Sequence, residues 1–279
     1  MPRFARAEAG PILKWAGGKG QLLREILRRV PAEFGTYHEP FVGGGALFFA
    51  LWSERRIRRA VLSDVNSELI EAYETIRDDV EAVIRALRKH RNEEAYFYDL
   101  RKRDPRRMAP AARAARLIYL NKTCFNGLYR VNSKGKFNVP FGDNPRAKIC
   151  DVEALRGASR AFRDADLHCE AFDAVLDRAQ PDDFVYFDPP YQPLSKTASF
   201  TAYSRGGFGE AEQRRLAETF RTLAARGVHV LLSNSDTPLC RKLYRGFPRH
   251  IVHATRAINS RADRRGRITE LLITSRLSG

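Results

Sequence analysis

The stretch HEPFVGGGALFFAL at 38–51 limits the possible folds more than any other. It reads as a short strand running into three glycines and then into an apolar helix. AVLSD at 60–64 reads as the next strand, closing on a carboxylate. Two neighbouring strands joined through a helix lie parallel, because the crossover returns the chain to the same end of the sheet. The pattern extends in both directions. Helices are predicted near 19–30, 46–56, 67–77 and 210–226, and strands near 35–41, 59–63, 183–187, 228–233, 249–254 and 268–275. In the helix near 210–226, Leu216, Phe220 and Leu223 share one apolar face. Alternating strands and helices predict an α/β fold, a Rossmann-like and mostly parallel sheet with helices on both faces.

The middle of the chain differs. From 78 to 165 it reads as helical and arginine-rich, except for LYRVNSKGKFNVPFG at 128–142. That segment alternates around Ser133-Lys134-Gly135 and reads as a β-hairpin with a short glycine-containing turn. The expected organisation is therefore a domain built from 1–77 and 166–279, with a basic module of 78–165 inserted in it.

Charge narrows the partners. The chain has 279 residues, with 49 Lys and Arg against 33 Asp and Glu and a formal net charge of +16. The excess clusters at 55–59, 101–107 and 256–267, which favours a polyanionic partner and makes nucleic acid the leading one. No apolar run approaches the ~20 residues that span a bilayer. The N-terminus lacks the apolar core of a secretory signal, so a cytoplasmic protein is expected. Cys124, Cys150, Cys169 and Cys240 are spaced for neither a zinc site nor a redox pair, and read as idle thiols in a reducing compartment. No metal is expected.

Glycines between a strand and a helix let a ligand approach backbone where a side chain would block it, although they also serve tight turns and helix caps. Asp64 lies where an acidic side chain can accept both hydroxyls of a ribose. The dinucleotide fingerprint fails, since its third glycine would stand at Phe48. A phosphate-loop reading of LKWAGGKGQLL fails too, because Leu13 and Gly20 stand where Gly and Ser or Thr are needed. A ligand with a ribose and no phosphate chain remains, and S-adenosylmethionine fits. Lys14, Trp15 and Lys19 would then offer an aromatic face and a cation for its carboxylate.

The run FVYF at 184–187 stops on Asp188, Pro189, Pro190 and Tyr191. At the carboxyl edge of an open α/β sheet, that is a ligand-binding position. An exocyclic amine on a base is a poor nucleophile, because its lone pair is delocalised into the ring. Acceptors aimed at its hydrogens, the Asp188 carboxylate and the Pro189 carbonyl, would localise that lone pair. Both prolines lock φ and hold the acceptors with little entropy left to lose. Tyr191 offers a flat face for an unstacked base. The plainer reading is a strand end followed by a turn.

Several blocks occur in a recognisable order: LKWAGGK at 13–19, EPFVGGGALFF at 39–49, LSDVNSELI at 62–70 and FNGLYRVNSKGKFNVPFG at 125–142. DPPYQPLS at 188–195, SFTAY at 199–203 and LLSNSD at 231–236 follow. Together they resemble the Dam family of adenine-specific DNA methyltransferases over nearly the whole chain. The resemblance implies cofactor binding by Trp15, Lys19, Phe41, Gly43, Gly45, Asp64 and Asp188, with Asp64 on the ribose. It implies catalysis by Asp188 to Tyr191 on a flipped adenine, and double-stranded DNA as partner, with GATC as the target. Lys14, Leu128, Arg130 and Pro140 match base readers and Phe125 an aromatic probe, with Asn126 and Asn132 in the same loop also assigned to DNA binding. Arg130 suits a guanine major-groove edge. Lys134, Lys136, Arg264, Arg265 and Arg267 are assigned to phosphates. Asn144 departs from members with an aromatic residue there, which touches the readout of the outer base pair. A monomer is expected. The competing readings are methylation of RNA or of a protein amide, and a DNA-binding homologue without turnover.

Overall fold

The computed structural model describes residues 9–15, 22–132, 134–191, 208–255 and 267–276. Lys19, Ser133, the SFTAY block, Arg264 and Arg265 lie outside the described residues, as does the Arg267 side chain. The elements run α1 Leu23–Leu27, β1 Tyr37–Glu39, α2 Ala46–Ser53, β2 Ala60–Asp64, α3 Ser67–Leu87, α4 Glu94–Lys102, α5 Pro110–Thr123, α6 Val152–Phe162, β3 Ala165–Cys169 and β4 Phe184–Phe187. They continue with α7 Glu210–Ala225, β5 His229–Ser235, α8 Pro238–Leu243, β6 Arg249–Thr255 and β7 Arg267–Thr274.

The strands form one mixed sheet of seven, in the order β3-β2-β1-β4-β5-β7-β6. β1 pairs with β2 and β4, and β4 with β5, all parallel, while β7 runs antiparallel to β5 and β6. The order reverses between β1 and β4, the kind of switch point where ligands of Rossmann-like sheets bind. The α/β expectation is met. Among these strand pairs, those of β7 alone are antiparallel.

The chain divides into two compact units. The first comprises Met1–Gly18, Gly43–Arg56 and Asn66–Cys169, and the second Lys19–Val42, Ile57–Val65 and Glu170–Gly279. In the second unit β4 is buried along its whole length, as its unbroken apolar run predicts for a central parallel strand. Val185 and Phe187 join Leu216, Phe220 and Leu223 of α7 in a core completed by Val230, Leu232, Leu271 and Ile273. Each such side chain contributes about 2–3 kcal/mol on leaving water. α7 starts where the Glu212 carboxylate accepts the Gly209 N–H at 3.0 Å.

In the first unit α3 packs along α5 and α6. Phe48, Phe49, Tyr73 and Phe162 form an aromatic cluster, with Phe48 stacked on Phe162 at 5.7 Å. Asn66 caps α3 through Leu69 N–H at 3.3 Å, and Asp151 caps α6 through Ala154 N–H at 3.3 Å. α3 was expected to end near 77. It continues to Leu87 across a non-helical Asp79, with φ −146° and ψ 69°.

The hairpin at 128–142 is present but sparse. Its strands meet at one antiparallel bridge, Val131 with Phe137, and Phe141 pairs outside the hairpin with Cys124, just after α5. Asn132 closes its turn, since its Oδ1 accepts the Lys134 and Lys136 N–H groups at 3.0 Å each. All four cysteines carry free thiols. No helix among the described residues is long and apolar enough to cross a membrane.

Candidate active site

In the second unit the carboxyl end of β4 delivers Asp188, half-buried, beside the ends of β1 and β5. Ser233, fully buried on β5, donates its hydroxyl to Asp188 Oδ1 at 2.9 Å, and the Tyr186 hydroxyl lies 3.1 Å from Ser233 Oγ. One Asp188 oxygen is thus held from beneath. The Pro190 carbonyl accepts from Gln213 Nε2 at 3.1 Å. Tyr191 donates its hydroxyl to Glu270 Oε2 at 2.7 Å, and Glu270 is buried on β7. Burial, reinforced by the Asp188 and Glu270 carboxylates, pushes the Tyr191 hydroxyl well above its ordinary range, so it stays protonated as a donor. Burial, with Asp188 behind it, does the same to Tyr186.

Phe41 follows β1 and stacks on Phe172 at 5.3 Å, with Phe187 and Phe208 meeting it edge-on at 6.3 and 5.6 Å. Its ring is a fixed wall. Asp64 ends β2, half-buried, and its carbonyl accepts the Glu170 N–H at 3.2 Å.

In the first unit Gly43 and Gly45 have φ of +44° and +66°, the left-handed region that favours glycine. A Cβ on Gly43 would fall 2.6 Å from Trp15 Cδ1. What Gly43 admits is therefore the Trp15 ring. The Tyr73 hydroxyl donates to the Gly43 carbonyl at 2.5 Å and fixes the turn. Trp15 stacks on Tyr129 at 5.1 Å, with planes 19° apart. Tyr129 in turn donates to Glu68 Oε2 at 3.1 Å, and Glu68 pairs with the buried Arg116 at 3.0 Å. Burial raises the Glu68 carboxyl and lowers the Arg116 guanidinium, each partly offset by the other's charge.

Asn121, fully buried, knits Lys14 to the hairpin. Its Oδ1 accepts the Lys14 N–H at 2.8 Å, and its Nδ2 donates to the carbonyls of Lys14 at 2.7 Å and Gly127 at 3.1 Å. Gly127, at φ +64°, could carry no side chain, because a Cβ there would fall 2.5 Å from Lys14 Cδ. Lys14, Phe125, Asn126, Arg130, Asn132, Lys134 and Pro140 are exposed, and Leu128 is half-buried. Arg130 Nε donates to Asn138 Oδ1 at 2.8 Å across the hairpin, which steadies its guanidinium plane.

The structure thus brings Lys14 and Trp15 together with the hairpin and the glycine turn in one unit, and gathers Phe41, Asp64 and Asp188–Tyr191 in the other. Sequence reasoning missed Ser233, Gln213, Asn234, Glu270, Asn121 and Tyr129. Gln213 carried a signal, since it falls in line with Leu216, Phe220 and Leu223 on the apolar face of α7. Glu270 carried a similar one, as an acid within the apolar run of β7.

Comparison with known proteins places the chain. The model of the D12 class of N6 adenine-specific DNA methyltransferases matches residues 15–258. The type II methyltransferase M1.LlaDCHI of Lactococcus lactis is 43% identical over 95% of both chains. M.MjaIII of Methanocaldococcus jannaschii is 40% identical, over 95% of this chain and 99% of its own. The DNA adenine methylase of Escherichia coli is 37% identical, over 94% of this chain and 93% of its own. RNA and protein-amide substrates are set aside by these matches, and the methyl donor is S-adenosylmethionine. The chain belongs to the D12 class of N6 adenine-specific DNA methyltransferases.

Proposed function

We propose that the protein methylates the exocyclic 6-amino group of adenine within GATC in double-stranded DNA, on a base turned out of the helix. The observation that carries this reading is the anchored tetrapeptide at the end of β4. A half-buried carboxylate is held by Ser233 at 2.9 Å and a tyrosine ring by Glu270 at 2.7 Å, a setting suited to an amine donor and a flat base.

When bound, S-adenosylmethionine supplies a methyl group on a sulfonium that leaves as a neutral thioether. Asp188 and the Pro189 carbonyl would accept the two hydrogens of the adenine amine and localise its lone pair for attack on that methyl group. Tyr191 provides the stacking face, and its hydroxyl bond to Glu270 sets the ring's tilt. After transfer the nitrogen is acidic, and its proton passes to Asp188 or to water. For the cofactor, Trp15 and Phe41 would present fixed aromatic faces, Asp64 would take the ribose hydroxyls, and Gly43 and Gly45 would shape the turn that seats the Trp15 ring. Lys19 is assigned to the cofactor carboxylate.

Residues 78–165 are assigned to target recognition, and 1–77 with 166–279 to catalysis. Lys14, Leu128, Arg130 and Pro140 read bases, and Phe125, 52% exposed, probes the opened pair. Arg130 suits guanine, because Asn138 steadies the guanidinium through Nε and its terminal nitrogens are the donors that a guanine edge accepts. Asn126 and Asn132 shape the loop, and Lys134, Lys136, Arg264, Arg265 and Arg267 contact phosphates. Free thiols fit a reducing cytoplasm, and the enzyme is assigned as a monomer.

Incubation with methyl-labelled cofactor and duplexes with or without GATC tests the reading. Label is expected in adenine of GATC duplexes only. Asp188→Ala is expected to lower transfer at least ~10³-fold, the scale of a lost transition-state contact, while still binding duplex. Labelling independent of GATC overturns the specificity, and near-normal turnover of Asp188→Ala overturns the assigned role.

A further inference from the structure

The turn that ends β4 is also fixed at the Pro190 carbonyl, an atom with no part in the proposed proton or methyl transfer. Pro190 O accepts from the side chain of Gln213, in the first turn of α7, at 3.1 Å. Gln213 Oε1 accepts from Asn234 Nδ2 on β5 at 2.9 Å, and Asn234 Oδ1 accepts the Ser235 N–H at 2.8 Å. Gln213 and Asn234 are both fully buried.

This relay has a direction. A backbone N–H can only donate, so Asn234 must turn its oxygen toward Ser235. Its amino group then faces Gln213, which must answer with its oxygen. That leaves the Gln213 amino group aimed at Pro190, whose carbonyl can only accept. One backbone N–H on β5 thereby sets the orientation of two side-chain amides and supplies a donor to the proline turn.

The consequence lies in the torsions of that turn. Both prolines lock φ, so between Asp188 and Tyr191 only the ψ angles are soft. A hydrogen bond on Pro190 O pins the peptide plane that follows the second proline. The plane carrying the Pro189 carbonyl is then held between that anchor and the Ser233-bound Asp188. A shift of ~1 Å in such a group is enough to cost ~10²-fold in rate.

We infer that Gln213, oriented by Asn234, is a positioning residue for methyl transfer, holding the proline turn so that the Pro189 carbonyl and the Asp188 carboxylate converge on the amine. The inference rests on the proposed role of Asp188 to Tyr191. Gln213 touches neither cofactor nor base in this account and acts through Pro190 alone.

Gln213→Glu is the informative substitution. The shape is kept and Asn234 still has an acceptor, but an ionised carboxylate faces the Pro190 carbonyl with lone pairs. When protonated, the same side chain can donate again. Single-turnover methylation of a GATC duplex is expected to fall ~10²-fold at pH 8, with cofactor and duplex Kd within threefold of wild type. The ratio of variant to wild-type rate is expected to rise as pH is lowered, which a merely structural role would not produce. Gln213→Met, of similar length and without a donor, is expected to lose rate at all pH values alike. It keeps the idea testable if the glutamate variant does not fold. Wild-type rates in both variants, or a loss confined to duplex Kd, overturn the inference. A flat pH ratio for Gln213→Glu overturns it too. Wild type failing to label GATC duplexes while Gln213→Met lowers the rate on another adenine site would strike the target reading and leave this inference standing.

Discussion

A buried side-chain amide that donates to two carbonyls and accepts one N–H leaves three backbone groups unpaired when it is removed, and Asn121 is such a residue. Each buried group left without a partner costs about 1–3 kcal/mol. Asn121→Ala is therefore expected to lower unfolding stability by about 3 kcal/mol, read as a lower urea midpoint at unchanged slope. An unchanged midpoint would mean that water or a neighbour replaces all three bonds. Asn121 also shows where residue-level reading stops. Asp188 was legible because an apolar run ended on a carboxylate, a break visible in the sequence itself. Asn121, Ser233 and Glu270 matter through partners 107, 45 and 79 residues away, and no local pattern announces such pairings. Gln213 was half-legible, as a polar residue on an apolar helical face.

At the scale of elements, β4 and α7 followed their apolar patterns and appear where expected. β3 did not. ADLHC alternates buried and exposed positions at the sheet's edge, with Asp166 and His168 interrupting any apolar run. An edge strand needs only one covered face, so its sequence resembles a loop. The extent of α3 was missed for another reason. Asp78 and Asp79 interrupt the apolar spacing, yet burial of Val83, Ile84 and Leu87 carries the helix past the irregular Asp79. The hairpin was found, but its stiffness was not apparent from alternation alone. With one bridge, Val131 with Phe137, described between its strands, the Asn132 carboxamide holds the turn. Asn132→Ala is expected to leave global stability within about 0.5 kcal/mol of wild type, as for an exposed site. It is expected to weaken GATC duplex binding several-fold, measured by fluorescence anisotropy. Unaltered affinity would show that the turn keeps its shape without those bonds.

For the molecule as a whole, the net charge of +16 grows as acid neutralises carboxylates, and self-repulsion grows with it. His90 adds a specific acid sensitivity. It packs against Tyr119 at 4.9 Å with its Nδ1 2.7 Å from the Tyr96 hydroxyl, and burial, aided by the Arg103 charge, lowers it from 6.5 to about 4. The folded value lies below the unfolded one, so the unfolded chain binds the proton first. The stability due to neutral His90 is complete above pH 6.5 and is lost as pH falls through about 4. His90→Phe is expected to flatten the fall in urea midpoint between pH 6.5 and 4. Parallel curves for the two proteins would place the acid sensitivity elsewhere.

The chain changes unit after residues 18, 42, 56, 65 and 169, so neither unit is one continuous stretch of sequence. This bears on how such enzymes diversify. A target-reading module carried as a terminal appendage can be exchanged between genes by a single recombination event. Here a crossover almost anywhere before residue 169 would splice fragments of both units at once. On the proposed reading of the hairpin, new target preferences are therefore expected to arise by point substitution in its exposed residues, with the scaffold inherited whole.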